Sequence, residues 1–382
     1  MNVVLQVLYT VLGLGFLIFI HELGHFVAAK IFKVQTNEFS LGMGPKLISV
    51  KKIKATGKKK VTSFFSKEKP ELDPDGNTAY SIRLLPIGGF VSMEGENEDS
   101  ECDNALNRKP KWQRLIIMLA GITMNIIVAI LITFVLTLTT STPTTTIAVF
   151  ENDSVSYETG LRENDKIVKI GNTKISTYTD ISRAFQDNIG KTSVDVTVER
   201  DGEPVELKDV KFPRITSKGD PATEEDAARG ELILFSVDFK VYAQKKTVGN
   251  VIKTTFADTF SQVKVMYETL YDLVTNKISV KYISGPVGAS TVIKQAADAG
   301  IASFMYILGF ISINLAVINL LPLPALDGGQ AFLLLIEMIT RKQIPEKVKD
   351  FAAFSAERAK SPAKREIRHT GLPEKERKYG TV

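Results

Sequence analysis

Cysteine is almost missing from this chain. Cys102 is the only one, so no disulfide scaffold can hold the fold together. Histidine is nearly as scarce, with three among 382 residues. Neither charge sign dominates. The 48 Lys and Arg against 43 Asp and Glu leave a formal net charge of +5, and the basic residues gather beside apolar runs. That is not the footprint of a nucleic-acid binder, and no such partner is expected. Charge of either sign is absent from residues 3–20, 115–146 and 301–326. Uncharged runs of about 18 or more residues are candidates to span a bilayer, which excludes a wholly soluble chain. A mean hydropathy of +0.04 hides this, because the apolar residues are clumped.

The first run has no basic residue before it and no obvious small-residue cleavage site, so it does not read as a secretory signal. Residues 2–32 read as a retained helix that carries His21 and His25 below the membrane surface. Lys30, Lys33, Lys46, Lys51, Lys52, Lys54 and Lys58 to Lys60 follow it, and Arg108, Lys109, Lys111 and Arg114 precede the second run. The positive-inside rule makes both flanks cytoplasmic. The first helix then runs out-to-in, and the second, roughly 114–138, runs in-to-out. Between them, Phe39 to Val50 and Ala79 to Glu94 are rich in strand formers and broken by Gly and Pro, so short β-hairpins near the membrane are expected. Residues 66–76 and 95–108 read as polar loops.

The next stretch changes character. Ile147 to Phe150, Lys166 to Ile170 and Ser193 to Glu199 read as strands, with a helix near Thr179 to Asp187 and a turn at Arg200-Asp201-Gly202. A small α+β domain over 145–215 follows, placed outside the membrane if the second helix exits the cytoplasm. Residues 216–230 read as a polar linker and 246–276 as an amphipathic helix at a surface or membrane. The third apolar run ends in Leu321-Pro322-Leu323-Pro324-Ala325-Leu326-Asp327-Gly328-Gly329. After Asp350 the tail is mostly charged.

Chemistry is concentrated in His21-Glu22-Leu23-Gly24-His25. Residues i and i+4 of a helix share a face, so the two imidazoles can meet one metal ion. Glu22 beside them can take a proton from water activated there, the arrangement of zinc peptidases. Ionisable groups in an apolar helix are expensive unless partnered, which also points to function. Catalytic zinc usually has three protein ligands and one open position. His369 lies in the polar tail and Cys102 in a loop, which leaves Asp327 and Glu337 as the acids of 301–340. Asp327 stands in a Pro- and Gly-rich break, where irregular backbone is tolerated around a cavity. It is the expected third ligand, with Glu337 a helix-surface residue. A substrate helix must unwind before it is cut. The Gly88 to Met93 strand edge could hold the unwound segment by β-addition, or could be a surface hairpin only. Two other classes stay open. A receptor with a structural metal would need a fourth protein ligand, and a transporter would need more polar positions along its helices. Ions other than zinc also fit such a donor set.

These motifs together resemble the site-2 protease family of intramembrane zinc metalloproteases, in its bacterial RseP/RasP branch. The resemblance rests on His21 to His25, Phe39-Ser40-Leu41-Gly42-Met43-Gly44-Pro45, Tyr80 through Val91, Ile283-Ser284-Gly285-Pro286 and Asn314 through Gly329. They run in family order over residues 1–345. The resemblance implies Zn²⁺ held by His21, His25 and Asp327, with Glu22 catalytic. It implies Asn314 and Asn319 lining the active-site region, and Gly88, Gly89, Phe90 and Val91 in substrate-binding β structure. Its substrates are transmembrane proteins such as anti-sigma factors, already cut once by another protease.

Gly160-Leu161, Asp165, Ile167 and Ile170-Gly171 resemble a bacterial PDZ domain, in one copy. The fold expected is therefore a multi-pass α-helical protein of the bacterial inner membrane. It has membrane-associated β-hairpins and an inserted extracytoplasmic α+β PDZ domain, and its active site lies toward the cytoplasm. The segments are 1–34 (first transmembrane helix), 35–108 (β region), 109–140 (second helix), 141–215 (PDZ), 216–297 (linker and amphipathic helix), 298–342 (third transmembrane region) and 343–382 (tail). Two departures stand out. The family's Ala-Gly-Pro is Ala120-Gly121-Ile122 here, read as a change of kink. The family's fourth helix has no counterpart of about 20 apolar residues in the tail.

Overall fold

The structure, a computed structural model, describes residues 3–52, 59–63, 77–96, 100–216, 220–223, 225–226, 229, 233–275, 286–323 and 326–342. The expected loop at 66–76, the motif Ile283-Ser284-Gly285, Pro324-Ala325 and the tail 343–382 lie outside these residues. Three helices are long and apolar enough to cross a membrane: α1 (Val3–Ile31), α2 (Lys111–Thr139) and α7 (Ile301–Leu320). At about 1.5 Å per residue, even α7 reaches roughly 30 Å, the thickness of a hydrocarbon core. Large apolar side chains face outward on them, among them Leu12 and Phe16 of α1 and Leu131 and Val135 of α2. Outward apolar surface on this scale suits lipid rather than water.

The chain divides into two units, one of residues 1–17 and 125–317, the other of residues 18–124 and 318–382. In the second, β1 (Thr36–Lys52), β2 (Lys59–Ser63) and β3 (Ala79–Met93) form one sheet in the order β2-β1-β3. Here the expected short hairpins become long strands that fold back and pair twice. Residues 38–41 lie between 79–82 on one side and 89–92 on the other, and 79–82 also pairs with 48–51. The reversals fall at Gly42 and Gly88, with φ of +86° and +68°, values that side-chain-bearing residues seldom adopt. Val91, Met93 and Leu106 pack with Ala28 and Ala29 of α1 and Ile117 of α2.

A buried charge network stiffens this sheet. Glu38 is buried, and Arg83 Nη2 and Lys46 Nζ each stand 2.9 Å from its carboxylate. Arg83 also donates to Gly44 O at 2.6 Å and lies over the Phe90 ring. Burial alone would raise the Glu38 carboxyl, but hydrogen bonds from Lys46, Ser81 and Arg83 outweigh it and hold it below its usual value. Arg83→Met should therefore lower thermal stability at neutral pH by about 1.5–3 kcal/mol, since it leaves the buried Glu38 carboxylate with Lys46 as its only cationic partner among the described residues. Adding Glu38→Gln to that variant should recover part of the loss, as a thermal midpoint would read. If the double variant melts at or below the single, the pair is not the source of the stability.

The first unit contains a sheet ordered β11-β4-β5-β7-β8, with β6 paired to β5. Its strands are β4 (Pro143–Phe150), β5 (Lys166–Ile170), β6 (Thr173–Lys174), β7 (Val194–Arg200), β8 (Glu203–Val210) and β11 (Phe239–Ala243). Along β7, Val194, Val196 and Val198 point inward and Asp195 points out, the period-two pattern of a half-buried strand. Helix α4 (Tyr178–Asp187) closes the core with Ile181, Ala184 and Phe185, and the short α3 (Val155–Glu158) leads into buried Leu161. A separate pair, β9 (Arg214–Thr216) with β10 (Ile233–Phe235), supplies Phe235 to the same core. β11 pairs with β4, because Phe239 completes a core that the first strands leave open.

Helix α5 (Val248–Val274) packs Val263, Met266 and Leu270 against Ala129 of α2 and Ile313 and Val317 of α7. It is also tied to α4 by Arg183 Nη2 and Asp272 Oδ2 at 2.6 Å. Ile252, Phe256 and Phe260 remain exposed, in keeping with the expected amphipathic helix. Helix α6 (Pro286–Asp298) buries Ile293 and leads into α7. In the second unit, α8 (Asp327–Thr340) follows the Pro-rich break.

Candidate metal centre

An unbroken helix through residues 3–31 sets His21 directly below His25, one turn apart. Both are buried, and their rings meet edge-on with centroids 4.8 Å apart. His25 Nδ1 lies 2.7 Å from Ile117 O on α2. A carbonyl only accepts, so Nδ1 carries the proton, and in the neutral ring Nε2 presents its lone pair. That lone pair faces His21 Nε2 and Asp327 Oδ2, each at 3.2 Å, while His21 Nε2 and Asp327 Oδ2 are 2.8 Å apart.

Asp327 reaches this point because α8 starts immediately after a tight return of the chain. A Cβ on Gly328 would lie 2.3 Å from Leu320 O, so only glycine allows the close approach. Helix α2 is drawn in equally closely. A Cβ on Gly24 would stand 2.4 Å from Ala120 O, and one on Gly121 would stand 2.4 Å from His25 Nε2 and 2.7 Å from His21 Nε2. The space beside the two imidazoles exists because position 121 has no side chain. Ala120-Gly121-Ile122 is therefore part of the wall of the centre, and α2 continues through it without a break.

The three atoms fit a metal ion well. Bonds of about 2.0–2.1 Å in a tetrahedral site put ligand atoms roughly 3.3 Å apart. The observed separations are 2.8, 3.2 and 3.2 Å. Two borderline nitrogen donors with one carboxylate oxygen also match the ligands zinc takes in catalytic sites. Among the described residues, no other cluster of His, Cys, Asp and Glu with this geometry occurs.

Glu22 projects beside the trio, and its Oε2 accepts the Val91 N–H of β3 at 3.1 Å. Gly88 and Gly89 lie on the same strand. A Cβ on Gly88 would meet Ile18 of α1 at 2.6 Å, and one on Gly89 would meet Ser40 O at 2.4 Å. Phe90 lies under Arg83 and Val91 in the core. Asn319 is half-buried on the last turn of α7, in this unit. Asn314 belongs to the other unit, where its Oδ1 is buried without a hydrogen-bond partner among the described residues.

One expectation is overturned. Glu337 is not a surface residue. It is buried on α8, 3.5 Å from Lys111 Nζ, which also donates to Glu337 O. A lysine stem long enough to cover the carboxylate explains how an acid survives there. Sequence reading missed Ile117 and read Gly121 only as part of a changed kink, although the pairing of Gly24 with Ala120-Gly121 was an available signal of its closeness to the imidazoles. Small residues facing each other in two apolar helices mark close approach.

Comparison with known proteins places these features in context. The profile of peptidase family M50 matches residues 9–61 and 58–356. A protein of Clostridium acetobutylicum named as a zinc metalloprotease is 34% identical over 341 residues, covering 89% of each chain. One of Clostridium perfringens, named likewise, is 33% identical over 345 residues, covering 90% of this chain and 91% of its own. The regulator of sigma-W protease RasP of Bacillus subtilis is 27% identical over 424 residues, covering 89% of this chain and 92% of its own.

Proposed function

Since the chain belongs to peptidase family M50, the site-2 type of membrane zinc metalloprotease, we propose that it cuts transmembrane segments of proteins such as anti-sigma factors. The convergence of His21, His25 and Asp327 within 3.2 Å carries this reading. In it, those three side chains hold the zinc ion, and Gly121 keeps the adjoining space clear. When bound, zinc supplies Lewis-acid chemistry, polarising a peptide carbonyl and lowering the pKa of water to about 7. Glu22 takes the proton of the attacking water and delivers it to the leaving amine. Before a substrate arrives, the Val91 N–H tethers the Glu22 carboxylate through the hydrogen bond described above. The strand Gly88, Gly89, Phe90 and Val91 receives the unwound substrate along its outer edge. Asn319 lines the same region in this reading.

The rest of the chain takes supporting roles. α1, α2 and α7 cross the membrane, with the basic flanks Lys30, Lys33 and Lys111 in the cytoplasm. The domain built on β4 to β8 and α4 is then extracytoplasmic and of PDZ type, and it restricts entry to substrates already shortened by another protease. The name of the Bacillus subtilis relative, a regulator of sigma-W, supports anti-sigma factors as the substrate class.

Zinc content and cleavage, measured on the same detergent-purified protein, test this reading. Wild type should hold about one zinc per chain and cut a transmembrane reporter. A chelator should abolish both, and added zinc should restore them. His25→Ala and Asp327→Ala should each remove most of the zinc. Full zinc occupancy in either variant would show that the three side chains do not form the site.

A further inference from the structure

The first unit contains a cavity of about 560 Å³ that the protease chemistry does not use. Its walls include the last turns of α2, the start of α4, the middle of α5 and the first turn of α7. Two candidate membrane spans end here, α2 at Thr139 and α7 at Ile301. The cavity thus lies where those helices leave the apolar layer.

Its polar groups are hydroxyls, two carboxamides and the single carboxylate of Asp258. Asp258 lines it and has no hydrogen bond or ion pair among the described residues. Gln262, one turn on, is 5% exposed, lines the same space and also lacks a partner among the described residues. Thr137 and Thr140 spend their hydroxyl hydrogens on Thr133 O and Leu136 O, at 2.8 and 2.7 Å. Their remaining lone pairs can only accept. No Lys, Arg or His lines the cavity. The α7 N-terminus contributes roughly half a positive charge, less than the full negative charge of Asp258, and α4 already has Asp180 at its own N-terminus. A site with one carboxylate, no cationic side chain in its lining, several hydroxyl and amide oxygens that can accept, and apolar walls such as Leu136 and Val292 suits a cation with several N–H donors on an apolar stem.

We propose that this cavity binds a lysine or arginine side chain from the segment flanking the transmembrane helix of a substrate. The proposal rests on the protease reading above, because it supposes a membrane-spanning partner. Basic residues are common at that level of a spanning helix, where the stem stays in apolar surroundings and the head reaches polar groups. The cavity also reaches Pro143 of β4 and Tyr178 of α4, beyond the span ends, as a chain leaving the membrane would require.

The state of Asp258 agrees with an absent counter-ion. Burial first, and then the nearby Asp180, push its carboxyl up to about 6. The Tyr306 hydroxyl of α7 lies near it, and Tyr178 of α4 and the neutral Gln295 of α6 line the same cavity. A carboxyl with a raised folded-state pKa weakens the fold above that pKa and ceases to do so in acid. Asp258→Asn should therefore raise the melting temperature at about pH 7.5, and the gain should fade toward about pH 4. Loss of binding in this variant could not then be mistaken for unfolding.

The test uses the full chain in dodecyl maltoside, which carries no ammonium group. The probe is a dye-labelled acetyl-Leu-Leu-Lys-Leu amide, compared with the same peptide bearing norleucine for lysine. Fluorescence anisotropy should show at least about tenfold tighter binding of the lysine peptide to wild type. Asp258→Asn should bind both peptides equally weakly, and Asp258→Glu should retain the preference. Equal affinity of wild type for the two peptides overturns the proposal, as does a lysine preference that survives Asp258→Asn. Phosphatidylethanolamine carries the same ammonium chemistry. If that lipid raises the melting temperature of wild type but not of Asp258→Asn, while the lysine peptide shows no preference, the occupant is a lipid headgroup and the peptide assignment fails. Peptide binding needs no turnover, so zinc content and cleavage on the same preparation report separately on the protease reading.

Discussion

Replacing Glu22 by Gln should cut turnover of a transmembrane reporter by about 10²–10⁴-fold while leaving bound zinc unchanged. The substitution is nearly isosteric. A carboxamide oxygen can still accept the Val91 N–H that Glu22 Oε2 now accepts at 3.1 Å, so the local fold should hold. What disappears is a group able to take a proton from water and return it to the amine. KM should change little, because Glu22 does not figure among the groups proposed to grip the substrate. If Glu22→Gln cleaves at the wild-type rate with its zinc in place, another base does the work. If it loses its zinc, Glu22 belongs to the ligand set, and the three-donor site is wrong.

The second large effect concerns a residue with no functional group. Gly121→Ala should reduce zinc affinity by more than about tenfold, read by competition with a metal-sensitive dye. The added methyl would stand 2.4 Å from His25 Nε2 and 2.7 Å from His21 Nε2, far inside van der Waals contact. Either the rings turn away from Asp327 or α2 moves off α1, and both separate the donor atoms. The helix itself should not suffer, since alanine is a better helix former than glycine by roughly 1 kcal/mol. A variant that keeps its helical signal but loses zinc places the effect at the centre. Undiminished zinc affinity would mean that the close approach of α2 at residue 121 does not shape the site.

The members of the candidate site could be picked out from spacing. His21 and His25 fall on one face for any helix, and Asp327 drew notice as the acid in a break full of Pro and Gly. The structure brings all three within 3.2 Å. What spacing could not reveal is which part of another helix would press against them, because that depends on tertiary packing. Gly121 gave only a weak signal, a small residue amid large apolar ones. The β region shows the same limit. Strand-forming stretches were visible on either side of Gly42 and Gly88, but their alternation does not say that one strand will pair on both edges. Glu337 was misread because a lone acid at the end of an apolar helix ordinarily faces water. Its partner, Lys111, lies 226 residues away in the chain. The pairing of β11 with β4 was equally hard to read from the sequence. Phe239 belongs to the sheet through its long-range pairing with Phe150, and a polar stretch in between masks the connection.

The bond from Val91 to Glu22 means that β3 and the acid share one hydrogen. A guest chain that laces itself along residues 89–93 would claim that N–H for its own carbonyl. The carboxylate would then be released at the moment the guest arrives, like a safety catch lifted by the act of loading. An idle enzyme would keep its base tethered, and only a seated strand would set it free to work.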